Sequence, residues 1–539
     1  MTDMDEQKTS SKRPNVILIL ADDMGFSDIG CFGSEIQTPN IDSLARDGAA
    51  FTQMYNCARC CPTRASLLTG LYPHQAGVGY MVNDLGLPGY QGYLRDDSVT
   101  IAEALRAGGY RTYLSGKWHV GGAYNASKPE EWRPGEPGFP IPTQHGFDHF
   151  YGFLAGAISY YNPHTLMKDD LFILSEPGTY FTDEVTDYAC DAIRESSVSG
   201  DSFFIYVGYN APHWPLHAQP EDIARYEGHY RTGWDVLRTA RHEEMKGLGR
   251  VNADWDISAR DDQAPPWDAL DAERQEWESM RMAVYSAMVD RMDQGIGRIM
   301  KQLDELDLAD DTLIMFLSDN GGCAEFLAED GHVQQYNLRT HEGRDVAIGN
   351  RQDLQPGPST TFMSYDLPWA NVSNAPFREY KHWVHEGGIS TPFLVKWPKQ
   401  IPPGITGHQP CHVVDIMATV LDAAAIPSPV ENKGMPVPAP DGESLLDALR
   451  GKPWQRSQPV FFEHEGNRAV RDGSWKIVSK YPGDWELYNM DDDRTELNDL
   501  SVGSRDKVSG LACQYSHWAN THQVVDWDDL QKIHPDLYK

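Results

Sequence analysis

Residues 60–70 read Cys-Cys-Pro-Thr-Arg-Ala-Ser-Leu-Leu-Thr-Gly, which sets a thiol at a predicted helix start. Pro62 suits the first helical position, where its missing N–H costs nothing, and Thr69-Gly70 supply a stop. The positive end of such a helix is a place to hold an anionic ester, and Arg64 lies one turn inside it. Two more sets have the makings of chemistry. Asp22-Asp23 and Asp319-Asn320 offer three carboxylates and an amide, hard oxygen donors that suit a hard divalent cation. Lys117 and His119 stand two apart, so in an extended chain both point to one side.

These residues share a context. Residues 16–20 are Val-Ile-Leu-Ile-Leu and precede Asp22-Asp23; residues 110–114 precede Lys117 and His119; 203–207 precede His213; 313–317 precede Asp319-Asn320. Each run reads as a buried parallel strand, and helices are predicted at 41–46, 99–107 and 280–306. In an open α/β sheet ligands collect at the carboxyl ends of the strands, so separate segments converge on one cleft. The apolar stripe Met280, Val284, Ala287, Met288, Ile296, Ile299 and Leu303 is core packing. A Pro-rich stretch, 398–440, is predicted to run over the surface around one helix at 413–424. Short runs at 460–463, 468–471, 475–480 and 485–488 predict a small antiparallel sheet. The expected fold is therefore α/β: a large mixed, mostly parallel sheet flanked by helices over residues 1–454, then a small α+β subdomain on an antiparallel sheet over 455–539.

With 539 residues the chain can bury a large core. Its 46 basic and 79 acidic residues leave a net charge of −33, which argues against nucleic acid or an anionic membrane as partner. Eight cysteines, three of them at 57–61, are not a disulfide framework, so reduced thiols are expected. The polar first residues and the short run at 16–20 give neither a signal peptide core nor a membrane span. A cytoplasmic location is expected, or a periplasmic one if a leader was removed. The sequons at Asn125 and Asn371 read as chance matches.

The spacing Cys60-x-Pro62-x-Arg64 followed by Leu68-Thr69-Gly70 resembles the signature of type I sulfatases, in the alkaline-phosphatase-like superfamily. The likeness covers nearly the whole chain and is strongest to the bacterial arylsulfatase branch. It departs at Cys61-Pro62-Thr63, where threonine for serine keeps a hydroxyl. The resemblance implies that Cys60 is oxidised by a separate maturation enzyme to formylglycine, whose hydrate attacks the sulfur of a sulfate ester. It further implies one calcium ion held by Asp22, Asp23, Asp319, Asn320 and the modified Cys60. Lys117 and Lys381, the latter five residues before Glu386-Gly387-Gly388, would bind sulfate. His119 would assist breakdown of the sulfated intermediate, His213 would meet the leaving oxygen, and Arg64 would hold the modified Cys60. Other lysines read as solvated.

Weaker patterns compete. Cys57-Ala-Arg-Cys60 alone is also a redox or half-zinc spacing, but no second such pair exists to complete a four-cysteine site. His382 and His385 lack a ligand partner at fitting spacing. Asp491-Asp492-Asp493 reads as a solvated turn. No phosphate-cradling or dinucleotide glycine motif is present. Three functions follow in order: a hydrolase of small aryl sulfate monoesters; a phosphonate monoester hydrolase or phosphodiesterase of the same superfamily; and a non-catalytic, calcium-dependent binder of sulfated ligands.

Overall fold

The computed structural model describes residues 13–336, 339–432 and 434–537. Among these, eleven strands form one sheet. Its centre is made by β1 (Asn15–Ala21), β2 (Ala49–Tyr55), β3 (Arg111–Lys117), β4 (His149–Phe153), β5 (Phe203–Gly208), β6 (Thr312–Ser318) and β7 (Ser390–Lys396). They lie side by side in the order β2, β7, β6, β1, β5, β3, β4. All but β7 run parallel, and β7 is antiparallel to both β2 and β6. Every residue of β1, β2, β5 and β6 is buried, as expected of strands covered on both faces.

Two helix groups pack on this sheet. One contains Pro39–Arg46, Phe181–Ser199 and the 34-residue Ala272–Glu305, and the other α1 (Cys60–Thr69), Ile101–Ala107 and Asp415–Ala423. The long helix starts eight residues before the predicted 280, because Asp271 caps it by accepting the Arg274 N–H. Helix Ile101–Ala107 starts at a full capping box between Thr100 and Glu103. The Pro-rich stretch is less superficial than predicted, since Ile405–Gly407 and Cys411–His412 add to the edge of β2. No helix among the described residues is long and apolar enough to cross a membrane.

The four C-terminal strands form an antiparallel meander, Val460–His464, Asn467–Asp472, Trp475–Ser479 and Glu486–Asn489. One face packs on Tyr55, Val384 and Ile389 of the main body and the other on Leu511, Tyr515 and Trp518 of helix Arg505–Thr521. We propose residues 454/455 as the boundary of this subdomain.

A buried polar network joins the two parts. Glu386, ahead of β7, accepts Lys476 Nζ at 2.9 Å, Arg494 Nε at 2.7 Å, Ser390 Oγ at 2.8 Å and Tyr55 Oη at 3.1 Å. Lys476 also meets Glu496 at 2.7 Å, and Arg494 donates to the Thr52 carbonyl at 2.7 Å. Lys476 is thus fully buried, unlike the solvated lysine its local sequence predicts. Burial alone would raise the Glu386 carboxyl, but Lys476 and Arg494 outweigh it and hold it down to about 2. Its stabilising contribution is complete above its ordinary value of 4.5 and is lost as the pH falls toward about 2.

Replacing Glu386 with Ala leaves two buried cations short of a partner. The expected cost is about 3–5 kcal/mol, read as a lowered urea midpoint with unchanged slope.

Candidate active site

Five parallel strands, β1, β2, β3, β5 and β6, end at one edge of the sheet, and β7, being antiparallel, begins there. Asp22-Asp23 follow β1, Cys60 follows β2, Lys117 ends β3, His213 follows β5, Asp319-Asn320 follow β6 and Lys381 precedes β7. Backbone bonds stitch these loops together: Asp22 N–H to Ala211 O at 3.1 Å, Asp319 N–H to Ala21 O at 3.1 Å, Lys381 N–H to Gly322 O at 3.2 Å and His382 N–H to Ala58 O at 2.7 Å. Gly321 sits so close to the helical turn Glu386–Ile389 that leads into β7 that a Cβ would lie 1.8 Å from the Gly387 carbonyl oxygen. Only glycine fits that approach.

Helix α1 begins at Cys60 itself, with Arg59 extended at the N-cap and no side chain capping it. Pro62 is the third helical residue, one of the positions whose N–H has no intrahelical partner. Gly70 ends the helix at φ 69°, as the sequence predicts. Lys117 and His119 do converge, but not through strand alternation. The Trp118 N–H pairs with the Phe153 carbonyl, and His119 turns into the left-handed region at φ 57°. Asp23 is also left-handed, at φ 66°, a strain that the surrounding ion pairs hold in place.

Every sequence-predicted site residue is buried in this one cluster. Lys117 Nζ lies 2.6 Å from Asp22 Oδ2, and Lys381 Nζ 2.8 Å from Asp23 Oδ1 and 3.3 Å from His213 Nε2. Arg64 donates to Asp319 Oδ2 through Nη2 at 2.8 Å and Nε at 3.1 Å, and to the Lys117 carbonyl and Tyr206 hydroxyl at 3.2 Å each. Asn320 Nδ2 donates to Asp23 Oδ1 at 2.7 Å. His213 Nδ1 bonds the Trp214 carbonyl at 2.6 Å, which leaves Nε2 toward Asp23, 3.4 Å away.

The charges are unevenly settled. Burial and the neighbouring Asp319 push the Asp22 carboxyl well up, and burial raises Asp319 despite Arg64. Burial would also raise Asp23, but His213 and Lys381 bring it below the ordinary range. Burial pushes His119 down to about 4 and His213 down to about 3, so both imidazoles are neutral near pH 7. The hydrogen bond to Cys61, with His119 and Lys117 beside it, holds the Cys60 thiol well below its usual value.

The donor set fits a hard divalent cation. Asp22 Oδ1 and Asn320 Oδ1 are buried without any hydrogen-bond partner, and an orphaned acceptor of this kind costs about 1–3 kcal/mol. Asp22, Asp23 and His213 bring ligand atoms within 4.8 Å of one another, as do Cys60, Cys61 and His119. A cation bound by Asp22, Asp23, Asp319 and Asn320 would satisfy both orphaned oxygens and relieve the repulsion between carboxylates.

Several neighbours escaped the sequence reading. Tyr206 supports Arg64 from inside β5, and its phenol in an apolar run was the available signal. Arg59 pairs with Glu325 at 2.9 Å, and Glu325 also accepts Trp214 Nε1 at 2.8 Å. The Glu325 carboxyl, which burial would raise, is pulled well down by Lys381 and Arg59. Nothing in the loop sequence pointed to it.

A mostly parallel sheet with a buried acidic cradle and basic clamp at its carboxyl edge defines an alkaline-phosphatase-like hydrolase. Within that class the chain belongs to the sulfatase family, whose model matches residues 14–426. A model for the C-terminal part of N-sulphoglucosamine sulphohydrolase matches residues 379–509. An uncharacterized sulfatase of Schizosaccharomyces pombe is 32% identical over 99% of this chain and 98% of its own length. The arylsulfatase of Klebsiella aerogenes is 32% identical over 77% of this chain and 87% of its own. Among solved structures, Ps i-CgsB in complex with k-i-k-neocarrahexaose shares the fold at TM-score 0.67 and 24% identity, covering 98% of both chains. The protein is thus a sulfuric ester hydrolase of the type I sulfatase family.

Gly156 provides a sharp test of site geometry. A Cβ there would meet His119 Nε2 at 2.7 Å and Cε1 at 2.9 Å. Gly156→Ala should therefore displace the imidazole and lower kcat by about 100-fold, with the melting temperature nearly unchanged.

Proposed function

We propose that the protein hydrolyses sulfate monoesters with aryl or similarly small, apolar leaving groups, using a formylglycine made from Cys60 and one calcium ion. The single observation that carries the reading is the placement of Cys60 at an uncapped helix start, between the cations of Lys117 and Lys381 and an oxygen cradle with two orphaned acceptors. The aldehyde hydrate supplies a two-hydroxyl nucleophile that a thiol lacks, and the calcium ion supplies positive charge for the ester oxygens.

The chain's own residues then have distinct tasks. Lys117 and Lys381 hold the sulfate oxygens as fixed positive charges in a dry site, where such charges act most strongly. Arg64 keeps Asp319 and the Lys117 carbonyl in register through three hydrogen bonds and is itself steadied by a fourth to the Tyr206 hydroxyl, a positioning role more than a substrate contact. His119, neutral and buried with Nδ1 unpartnered, is suited to take the proton whose removal releases sulfate from the modified Cys60. Asp319 is a second acceptor for hydrate protons. His213 has its Nδ1–H anchored on the Trp214 carbonyl, so a proton given up by the attacking hydroxyl and taken by Nε2 would make an imidazolium beside Lys381. That charge is unstable in the buried site and passes readily to a basic leaving oxygen.

Apolar surroundings support an aryl leaving group. The Trp214 ring lies 4.4 Å from His213 and 5.7 Å from Tyr336, and His164 lies 6.2 Å from Tyr336. The Glu325 carboxylate at the same wall, with a chain charge of −33, disfavours polymers bearing many sulfates. A solved relative holds D-glucosamine-2-N,6-O-disulfate, and the phosphonate monoester hydrolase of Agrobacterium radiobacter shares the fold at TM-score 0.55. These mark the competing substrate classes.

The deciding experiment couples the mass of the Cys60 peptide to turnover. Active protein should carry formylglycine at Cys60, and kcat/KM for an aryl sulfate should exceed that for an aryl phosphonate monoester or phosphate diester with the same leaving group. A plain thiol throughout the turning-over population, or a lead by the phosphorus esters, rejects the reading. His213→Ala should slow esters of basic alcohols most and activated phenols least, since only poor leaving groups need the proton; equal slowing across a series of leaving-group pKa would assign His213 to positioning.

A further inference from the structure

We propose that His382, His464 and Glu465 form a second metal site, separate from the cradle around Asp22, that takes zinc or a similar imidazole-binding divalent ion. The three come from two parts of the molecule. His464 and Glu465 stand at the tip of the hairpin between strands Val460–His464 and Asn467–Asp472, where Glu465 and Gly466 take φ 52° and 80° in a two-residue turn. His382 belongs to the loop before β7, next to Lys381. The pairing with His385 weighed from the sequence does not occur as a shared site, since His385 instead faces Glu486 at 3.5 Å.

The spacing is that of co-ligands. His382 Nδ1 lies 3.3 Å from Glu465 Oε2, His464 Nε2 lies 3.5 Å from Glu465 Oε1, and all three ligand atoms fall within 4.8 Å. A charge-assisted hydrogen bond between imidazole and carboxylate closes to about 2.7–2.9 Å. A tetrahedral ion with bonds of about 2.0–2.1 Å instead holds neighbouring ligand atoms about 3.4 Å apart.

His464 supplies the independent observation. It is fully buried, yet neither ring nitrogen has a hydrogen-bond partner. A buried polar ring left this way is costly, and coordination through Nε2 removes part of that cost. Burial also pushes His382 down to about 4 and His464 well below its ordinary value, so both are neutral and ready to ligate without releasing a proton. Two imidazoles and one carboxylate leave a fourth position for water. The Arg59 guanidinium, close enough to interact with Glu465, opposes loosely held hard cations and favours an ion that binds imidazole strongly. Such an ion would staple the C-terminal hairpin to the segment that carries Lys381.

The test uses calcium-loaded full-length protein incubated with zinc and passed through a desalting column. Wild type should retain one equivalent of zinc by elemental analysis and melt at a higher temperature than without it. Glu465→Gln and His464→Ala should each weaken zinc binding by at least about tenfold and abolish the melting shift while calcium retention is unchanged. Glu465→Gln, which keeps the size and shape of the side chain at the hairpin turn, covers the case in which the buried His464 variant fails to fold. Cobalt(II) identifies the ligands: nitrogen and oxygen coordination is expected. A thiolate charge-transfer band would place the ion at Cys60 and Cys61 and overturn the proposal, as would less than one equivalent of zinc in wild type or undiminished retention in Glu465→Gln.

Discussion

Three carboxylates, Asp22, Asp23 and Asp319, are confined to one dry space, and the cost of that confinement sets the terms for everything around them. Desolvation costs several kcal/mol for each ion unless partners are in place. Each acid accordingly has its own base, Lys117, Lys381 or Arg64, and each base arrives from a different segment: the end of β3, the loop before β7 and helix α1. The bases offset the charge only in part. Asp22 and Asp319 remain raised, two oxygens remain without partners, and a divalent cation is the group that completes the balance.

Such a cluster can be assembled only if many segments reach one place. Parallel strands achieve this because their carboxyl ends share an edge, while their continuous apolar bodies hold the loops at fixed separations. β7 is the exception that serves the same end. Running antiparallel, it presents its amino end at that edge, so Lys381 and Glu386 enter the site from the opposite chain direction. Glu386 then ties the loop to Lys476 and Arg494, and the small antiparallel sheet becomes part of the support for the catalytic edge.

How far the sequence could be read depended on whether the deciding interaction was local. β1, β5 and β6 were plain, because unbroken aliphatic or aromatic runs have few other fates. β2, Ala-Ala-Phe-Thr-Gln-Met-Tyr, was not, since Thr52 and Gln53 look solvated until their partners His408 and Arg471, hundreds of residues away, are known. Lys476 misled for the same reason. In the site, Cys60, Lys117, His119 and Asp319 announced themselves by spacing that resembles a known family. Arg59, Glu325 and Gly156 did not, because their importance lies in what they touch across the fold and not in any motif.

The Glu386 network has a consequence for how the molecule comes into being on the ribosome. Arg494 and Glu496 lie more than a hundred residues after Lys381 in the chain, yet they settle the charge of the loop that leads from Lys381 into β7. The last strand of the large sheet ends at His412, so all of its strands are synthesised before Lys476, Arg494 and Glu496, and until then Glu386 has only the Tyr55 and Ser390 hydroxyls as partners. The polypeptide therefore reaches its working shape late in synthesis, and a product cut short before Arg494 keeps the motif of the enzyme without the arrangement that makes it work.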